Sequence, residues 1–352
     1  MKKIIFLICI SGILFGNALI EILPYKTNEF SPKLGQKFKI KYKLSQDSNV
    51  TFNIFTPDNN LIRIIKKESK KGTNSVVWDG KDRDGIVVPN EAYSLKVVIK
   101  SSDKNQTLDY RLTGGEILKK LHTKVDKRGN VIFKLPKPAR VLVRAGIENG
   151  PMLRVISNWE PKNRGIVKIK WNMLDKDNLI DISKLDFGVT VSAYALPERT
   201  IITTNNNSTN YYEYFTKNKF KCNLPKKYKL KKSNIAISKH FFKCRVDDKD
   251  PKIYLKFPKE FEKNREIILT NDKPLNVKVL MDKEDEERFN KSKYEVTFFI
   301  DNEFASEEEL GFMPISWRFV PNGLKKGKHI LTVNISSFTG QVGLSSAIFE
   351  IK

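Results

Sequence analysis

The chain is dominated by short segments in which apolar and polar residues alternate, and that pattern most restricts what it can fold into. Phe38, Ile40, Tyr42 and Leu44 alternate along Lys37–Leu44, and Val50, Phe52 and Ile54 along Val50–Ile54. Leu61–Ile65 and Ser75–Trp78 make two more runs, and Tyr93–Ile99 a fifth, with Tyr93, Leu95, Val97 and Ile99 on one side. A period of two puts such residues on one face of a strand. The intervening Pro57-Asp58-Asn59-Asn60, Lys71-Gly72-Thr73-Asn74 and Asp79-Gly80 are turn formers. Many short strands at roughly 8–12-residue spacing predict a β-sandwich.

The pattern then recurs. Phe133-Lys-Leu135 opens a stretch in which Val141–Val143 matches Val50–Phe52, and Leu153-Arg154-Val155-Ile156 matches Leu61-Ile62-Arg63-Ile64. Gly165 stands for Gly72, and an apolar run ends in Trp171 as the first ends in Trp78. Leu44 to Trp78 spans 34 residues and Leu135 to Trp171 spans 36. Asp175-Lys-Asp177 follows the second Trp much as Asp82-Arg-Asp84 follows the first. These matches describe a divergent internal repeat of one sandwich unit.

Gly72-Thr-Asn-Ser-Val-Val-Trp78-Asp79-Gly80-Lys-Asp82-Arg-Asp84-Gly85, followed by Val88-Pro89 and Tyr93, resembles the Ig-like domain of flagellar hook-capping (FlgD-like) proteins. The family usually has a Gly just before that Tyr; here Asn90-Glu91-Ala92 stands instead. The second copy has Asn172-Met173 in place of Asp-Gly after its Trp. The resemblance implies a sandwich fold and a scaffolding role, with Trp78, Asp79, Gly80, Gly85, Tyr93 and Trp171 as structural residues. A cleavable leader is out of place in a flagellar cap, so flagella are not implied.

Val296–Asp301, Pro314–Trp317, Gly327–Val333 and Ala347–Ile351 outline a third unit. Its Gly327-Lys-His329-Ile-Leu331-Thr-Val333 strand resembles the Ig-like repeats of bacterial surface proteins. Thr113–Lys124 carries Ile117, Leu118 and Leu121 at helix-like spacing, which suggests a linker helix. The expected order is a signal peptide (1–18), a FlgD-like Ig-like sandwich (19–102), a linker with helical spacing (103–128), a divergent second sandwich (129–252) with a basic insertion at 200–250, and a C-terminal Ig-like sandwich (253–352). The fold class is therefore all-β, three tandem Ig-like or fibronectin-like β-sandwiches with a disulfide-pinned basic insertion in the second.

Lys2 and Lys3, the apolar run Ile4–Phe15, and the small residues of Gly16-Asn17-Ala18 read as a secretory leader. Its removal leaves 334 residues, suited to two or three domains, and two cysteines, Cys222 and Cys244. In an oxidising compartment this pair is most simply one disulfide, so the chain is expected in the periplasm or at the cell surface. Cys222, His240 and Cys244 as zinc ligands lack a matching pair motif and a fourth ligand.

The formal charge of +24 predicts attraction to anionic surfaces. Eleven Lys or Arg and no Asp or Glu lie between Tyr214 and Val246, interleaved with Phe220, Tyr228, Phe241 and Phe242. Lys226, Lys227, Lys229, Lys231 and Lys232, around Tyr228, form the densest part and are the expected partner or polyanion contact. The bland alternative is a solvated loop with a hydrophobic foot. Asp79, Asp82 and Asp84 before Gly85 are a weak calcium candidate, since hard cations want clustered carboxylates, but a hairpin turn explains them as well. The acidic stretches Asp282–Glu287 and Glu307–Glu309 read as solvated faces.

No Gly-x-Ser-x-Gly elbow, His-Glu-x-x-His helix, phosphate-cradling glycine loop or Cys-x-x-Cys-His haem site occurs, and His122, His240 and His329 lie far apart in sequence. The reading is a secreted protein that is not an enzyme and needs no cofactor. Its expected partner is a protein in an envelope or extracellular assembly, reached through sheet edges or the insertion. The alternatives are binding of an anionic glycan or lipid surface, and an accessory subunit of an extracellular redox or secretion system. Nucleic acid is disfavoured by the compartment.

Overall fold

The structure, a computed structural model, describes residues 18–224, 235–263, 266–270, 273–290 and 292–352. Lys226, Lys227, Tyr228, Lys229, Lys231 and Lys232 and the leader up to Asn17 lie outside the described residues.

The first sandwich uses β1 (Ile20–Ile22), β2 (Glu29–Phe30), β3 (Phe38–Leu44), β4 (Ser48–Phe55), β5 (Leu61–Ser69), β6 (Gly72–Trp78), β7 (Ala92–Lys100) and β8 (Asn105–Asp109). One sheet has the order β1-β3-β6, and the facing sheet runs through β7, β4 and β5. Burial follows the alternation read from the sequence: Phe38, Ile40, Tyr42 and Leu44 point inward while Lys39, Lys41 and Lys43 are exposed. Burying each of those side chains is worth about 1.5–3 kcal/mol, and a one-residue slip would turn all four to solvent. That penalty fixes the register of β3 on β6, with Phe38 opposite Trp78 and Leu44 opposite Gly72.

The second sandwich packs the sheet β9-β10-β13 on the sheet β12-β11-β14, from β9 (Lys124–Val125), β10 (Asn130–Leu135), β11 (Ala139–Ile147), β12 (Met152–Lys162), β13 (Gly165–Lys170) and β14 (Phe187–Ala195). The repeat extends to single hydrogen bonds. Trp78 Nε1 donates to the Lys81 carbonyl (2.9 Å) and Trp171 Nε1 to that of Leu174 (3.0 Å). Asp82 Oδ1 accepts from the backbone N–H groups of Asp84 and Ile86, and Asp175 Oδ1 from those of Leu179 and Ile180. Arg63 donates to the Asp82 carbonyl and Arg154 to that of Asp175. The two arginines are thus equivalent, one position away from the alignment of Leu61–Ile64 with Leu153–Ile156.

The segment expected as a linker helix is extended. Gly114 and Gly115 have φ of +103° and +79°, which a right-handed helix excludes. A Cβ on Gly114 would sit 2.7 Å from the Leu196 backbone. The chain instead runs beside β14, with Gly115 and Leu118 donating to the carbonyls of Ala195 and Ala193. Ile117 faces out while Leu118 enters the core, so this spacing served an edge strand.

After β14 the chain turns back to the first sandwich. The strand β15 (Ile201–Thr203) lies antiparallel to the start of β7 and parallel to β2, while β8 pairs the later part of β7. Two segments far apart in sequence thereby share one edge of β7, and Ile201 joins the first core. The helix α1 (Tyr211–Lys217) follows, capped by Asn210, whose side chain accepts from the Glu213 N–H. The insertion expected on the second sandwich thus packs its outgoing part on the first, while its return through Ile237–Phe241 packs on the second at Glu116, Trp159 and Tyr194.

The third sandwich contains β16 (Ile253–Lys256), β17 (Glu262–Lys263), β18 (Glu266–Leu269), β19 (Leu275–Met281), α2 (Lys283–Phe289), β20 (Tyr294–Ile300), β21 (Glu303–Glu308), β22 (Ile315–Phe319), β23 (Gly327–Ser337) and β24 (Val342–Ile351). A β16-β19-β22 sheet faces a six-stranded sheet ending in β23-β20-β21. The stretch Asp282–Glu287, expected as a solvated face, starts α2; its Asp285 is buried and accepts from the Lys252 N–H and from Arg288. Asn334 docks this sandwich on the second by exchanging two bonds with the Met152 backbone, at 2.7 and 2.9 Å. Among the described residues no helix is long and apolar enough to cross a membrane.

Replacing Asp175 by Ala orphans two backbone donors beneath Trp171. Leaving such groups unsatisfied costs about 1–3 kcal/mol. The expected result is a lower urea midpoint for Asp175→Ala, with hydrogen exchange accelerated first at Leu179 and Ile180.

Candidate functional site

Three charged side chains from distant parts of the chain meet where the first two sandwiches and the insertion converge. Glu91 stands just before β7, Arg140 near the start of β11, and Arg245 in a short turn (Arg245–Asp248) after Cys244. They are 1%, 5% and 9% exposed, so their charges are compensated by one another rather than by water. Arg140 lies 2.8 Å from Glu91 Oε2 and 3.0 Å from Oε1, Arg245 Nε donates to Oε1 at 2.8 Å, and the Ala92 N–H donates to Oε2 at 2.7 Å. Burial alone would raise the Glu91 carboxyl, but Arg140 and Arg245 hold it below its ordinary value.

The remaining guanidinium donors reach β12 and α1. Arg140 donates to the Trp159 carbonyl (3.0 Å), while Arg245 donates to the Asn158 carbonyl (3.0 Å) and the Tyr212 hydroxyl (2.9 Å). Trp159 holds a positive φ of 51°, in a stretch where β12 slips register against β11. Such a bulge re-aims the backbone, here turning two successive carbonyls onto the two arginines. The Trp159 ring packs 4.3 Å from His240, whose Nδ1 is 2.9 Å from Asp248 Oδ1.

The turn Asp58-Asn59-Asn60 is the anchor on the first sandwich. Asp58 is fully buried and accepts from the Arg245 N–H (2.5 Å) and the Tyr211 hydroxyl (2.9 Å). Burial pushes its carboxyl up to about 6, against the pull of those two bonds. Asn60 donates to the Lys221 carbonyl and Asn59 to that of Asn223. The Cys222–Cys244 disulfide, with Cα atoms 5.9 Å apart, then ties this strip to the Arg245 turn. The N-terminal end of the Lys-rich loop is thus fixed to the first sandwich, while the segment after its C-terminal end, Ala236–Ser238, bonds to Gly115 and Ile117 beside β14 of the second.

The cysteines are joined and His240 is bonded to Asp248, so the three do not form the zinc set weighed from the sequence. Asp82, of the calcium candidates, gives one oxygen to backbone donors and the other to the Tyr214 hydroxyl at 2.7 Å. Asp79 accepts from the Lys81 N–H, and Asp84 is exposed beside Arg83. No group of three His, Cys, Asp or Glu side chains placed to hold a metal ion occurs among the described residues. Trp78 is fully buried against Phe30 and Tyr93, whose hydroxyl donates to the Pro89 carbonyl, and Trp171 packs on Phe187. Gly80 has φ of +73°, and a Cβ there would lie 2.3 Å from Pro32. Gly85, at φ +79°, makes the following turn.

Two hollows border the junction. A cavity of about 70 Å³ is lined by Arg140, Tyr194, His240 and Phe241, and an open groove of about 570 Å³ by Asn90, Glu160, Lys162, Asn207 and Tyr212. The charged groups around them bind one another, which is the chemistry of a brace between domains.

Residues 27–103 match the family model described as the FlgD Ig-like domain. This stretch is a FlgD-like Ig-like domain. The FlgD structure from P. aeruginosa is 24% identical with a TM-score of 0.22, the match covering 26% of this chain and 70% of that one. An alpha-2-macroglobulin from Escherichia coli is 8% identical with a TM-score of 0.20, covering 95% of this chain but only 23% of that one. A bacterial ice-binding adhesin described for host cell surface retention is 10% identical with a TM-score of 0.19, covering 95% and 98% of the two chains. The FlgD-like assignment is confined to residues 27–103. No curated protein matches the chain.

Glu91, Arg140, Arg245 and Asp58 were not singled out by the sequence. The one signal was Asn90-Glu91-Ala92 standing where the FlgD-like pattern carries a Gly.

Glu91→Ala leaves two buried guanidiniums without a counter-charge, and breaking a buried pair in this way costs about 3–5 kcal/mol. The expected result is a lower urea midpoint by tryptophan fluorescence, with the first two sandwiches unfolding in separate steps. The triple variant Glu91→Leu, Arg140→Met, Arg245→Met recovers much of the loss.

Asp58 gives a pH dependence of known sign. Its folded value is raised, so the stability it contributes is fully present below about pH 4 and falls as pH rises through about 6. The loss is at most about 3 kcal/mol. Between pH 4 and 7, urea midpoints of the native chain should fall relative to those of Asp58→Asn.

Proposed function

We propose that this chain is a secreted, non-catalytic scaffold that holds a protein partner within an exported or cell-surface assembly. The observation that carries the reading is the buried Glu91–Arg140–Arg245 cluster, with β15 completing the sheet of the FlgD-like domain. Strand and ionic ties bind the first two sandwiches into one body, with the disulfide closing the insertion between them, which suits a spacer that must keep its binding surfaces at fixed separation. The disulfide fits an oxidising compartment. The partner class includes an accessory role in an extracellular redox or secretion system.

A second reading has its own observation. Lys226, Lys227, Lys229, Lys231 and Lys232 lie in sequence between two anchored segments, in a stretch of eleven basic and no acidic residues from Tyr214 to Val246. Such a stretch is suited to an anionic glycan or lipid surface.

The test is a pull-down with residues 19–352 from the envelope fraction at low and high salt. A protein partner retained at high salt is the expected result, and failure to retain one overturns the scaffold reading. Anionic glycan or lipid recovered at low salt alone, and lost when those five lysines become Gln, supports the second reading instead.

A further inference from the structure

On a chain of net charge +24, residues 301–312 hold five acids and no Lys or Arg. Half of this stretch is β21, the outermost strand of its sheet, and Glu303, Glu307 and Glu308 on it are exposed. Glu309 extends the acidic run. Phe304, Leu310 and Phe312 stand among these acids at 57%, 66% and 61% exposure. An outer strand with one bare apolar side chain on it and two just beyond its end is a pairing surface unless something covers it.

The FlgD-like domain carries the opposite surface. There β5 ends its sheet and β6 ends the facing one. Between them lies a shallow groove of about 430 Å³, lined by Lys37, Arg63, Ile64, Ile65, Lys66 and Val77, with Asp79 its one acidic residue against three basic ones. Ile64 and Val77 are 49% and 46% exposed, and Lys37, Lys66 and Lys67 are exposed around them. It is an apolar floor with a cationic rim, matching an apolar edge with an anionic rim.

We propose that the β21 edge of one copy seats in the β5–β6 groove of a second copy, so that the chain associates head to tail. Charge decides which edges meet. Two β21 edges repel through Glu303, Glu307, Glu308 and Glu309, and two β5 edges through Lys66 and Lys67; the unlike pair attracts. The contact uses different surfaces on the two copies, so it propagates into a ring or a filament rather than stopping at a symmetric dimer. The association needs no other component, and it stands apart from the scaffold reading.

Sedimentation velocity of purified residues 19–352 tests it, over a concentration series at about 20 and about 300 mM salt, which span strong and weak screening. Oligomers that grow with concentration and shrink with salt are expected. The variants Glu307→Lys/Glu308→Lys/Glu309→Lys and Lys66→Glu/Lys67→Glu should each stay monomeric alone, with native circular dichroism, and associate when mixed. A monomer at every concentration in low salt overturns the proposal. So does association that survives either set of reversals, which would place the contact elsewhere, the Lys-rich loop included. Either result leaves the envelope pull-down to be judged independently.

Discussion

A buried carboxylate between two guanidiniums organises most of what is distinctive in this structure. Taking three charges out of water is expensive, and geometry alone repays the cost, through close contacts and satisfied donors. Glu91 supplies the acceptors from the FlgD-like domain, Arg140 a donor from the second sandwich, and Arg245 a donor from the insertion. No two of these complete the arrangement. The folded position of each segment therefore depends on the other two, which converts a string of sandwiches into a cooperative unit. The surrounding features serve the same end: the bulge at Trp159 aims two carbonyls, the disulfide ties Cys222 to the Arg245 turn, and β15 and α1 carry the insertion across.

The two halves of that structure were unequally legible in the sequence. The sandwiches were readable because a strand's inward face is a local property: Phe38–Leu44 and Tyr93–Ile99 alternate in sequence as they do in burial. The repeat was readable because Trp78 with Asp82, and Trp171 with Asp175, each close a turn within four residues. The junction was not, because the partners of Glu91 lie 49 and 154 residues away and no local pattern links them. What the sequence did offer was a misfit. A charged Asn90-Glu91-Ala92 replaces the family's Gly where the following strand opens on two buried residues, and a carboxylate buried there needs a partner of opposite charge.

The remaining differences have the same cause. Ile117, Leu118 and Leu121 fit a helical period, but Gly114-Gly115 with positive φ and the open edge of β14 decide for an extended path. The shift in composition marked the bounds of the insertion and said nothing of its destination. Its docking strand, Ile201–Thr203, is three residues long, below what periodicity detects. The acidic stretch at Asp282–Glu287 hid a buried Asp285 for a related reason: a carboxylate that caps backbone donors looks, in sequence, like its solvated neighbours.

The distribution of charge extends the account from the junction to the surface. A net charge of +24 opposes compaction by self-repulsion, and buried ties offset that without neutralising the exterior. The fold treats its sheet edges unequally in consequence. The vulnerable edge of β7 is closed by the chain itself, through β8 and β15, and its apolar residues are buried. The edges at β5 and β21 remain open and are marked instead with opposite charge. A charged edge resists its own kind by repulsion, which protects a sandwich from indiscriminate pairing. The same charge leaves the edge selective rather than inert, because it admits a partner of the other sign. Internal edges closed by strand pairing and external edges governed by charge are thus two solutions to one problem, the unpaired backbone at the margin of a sheet.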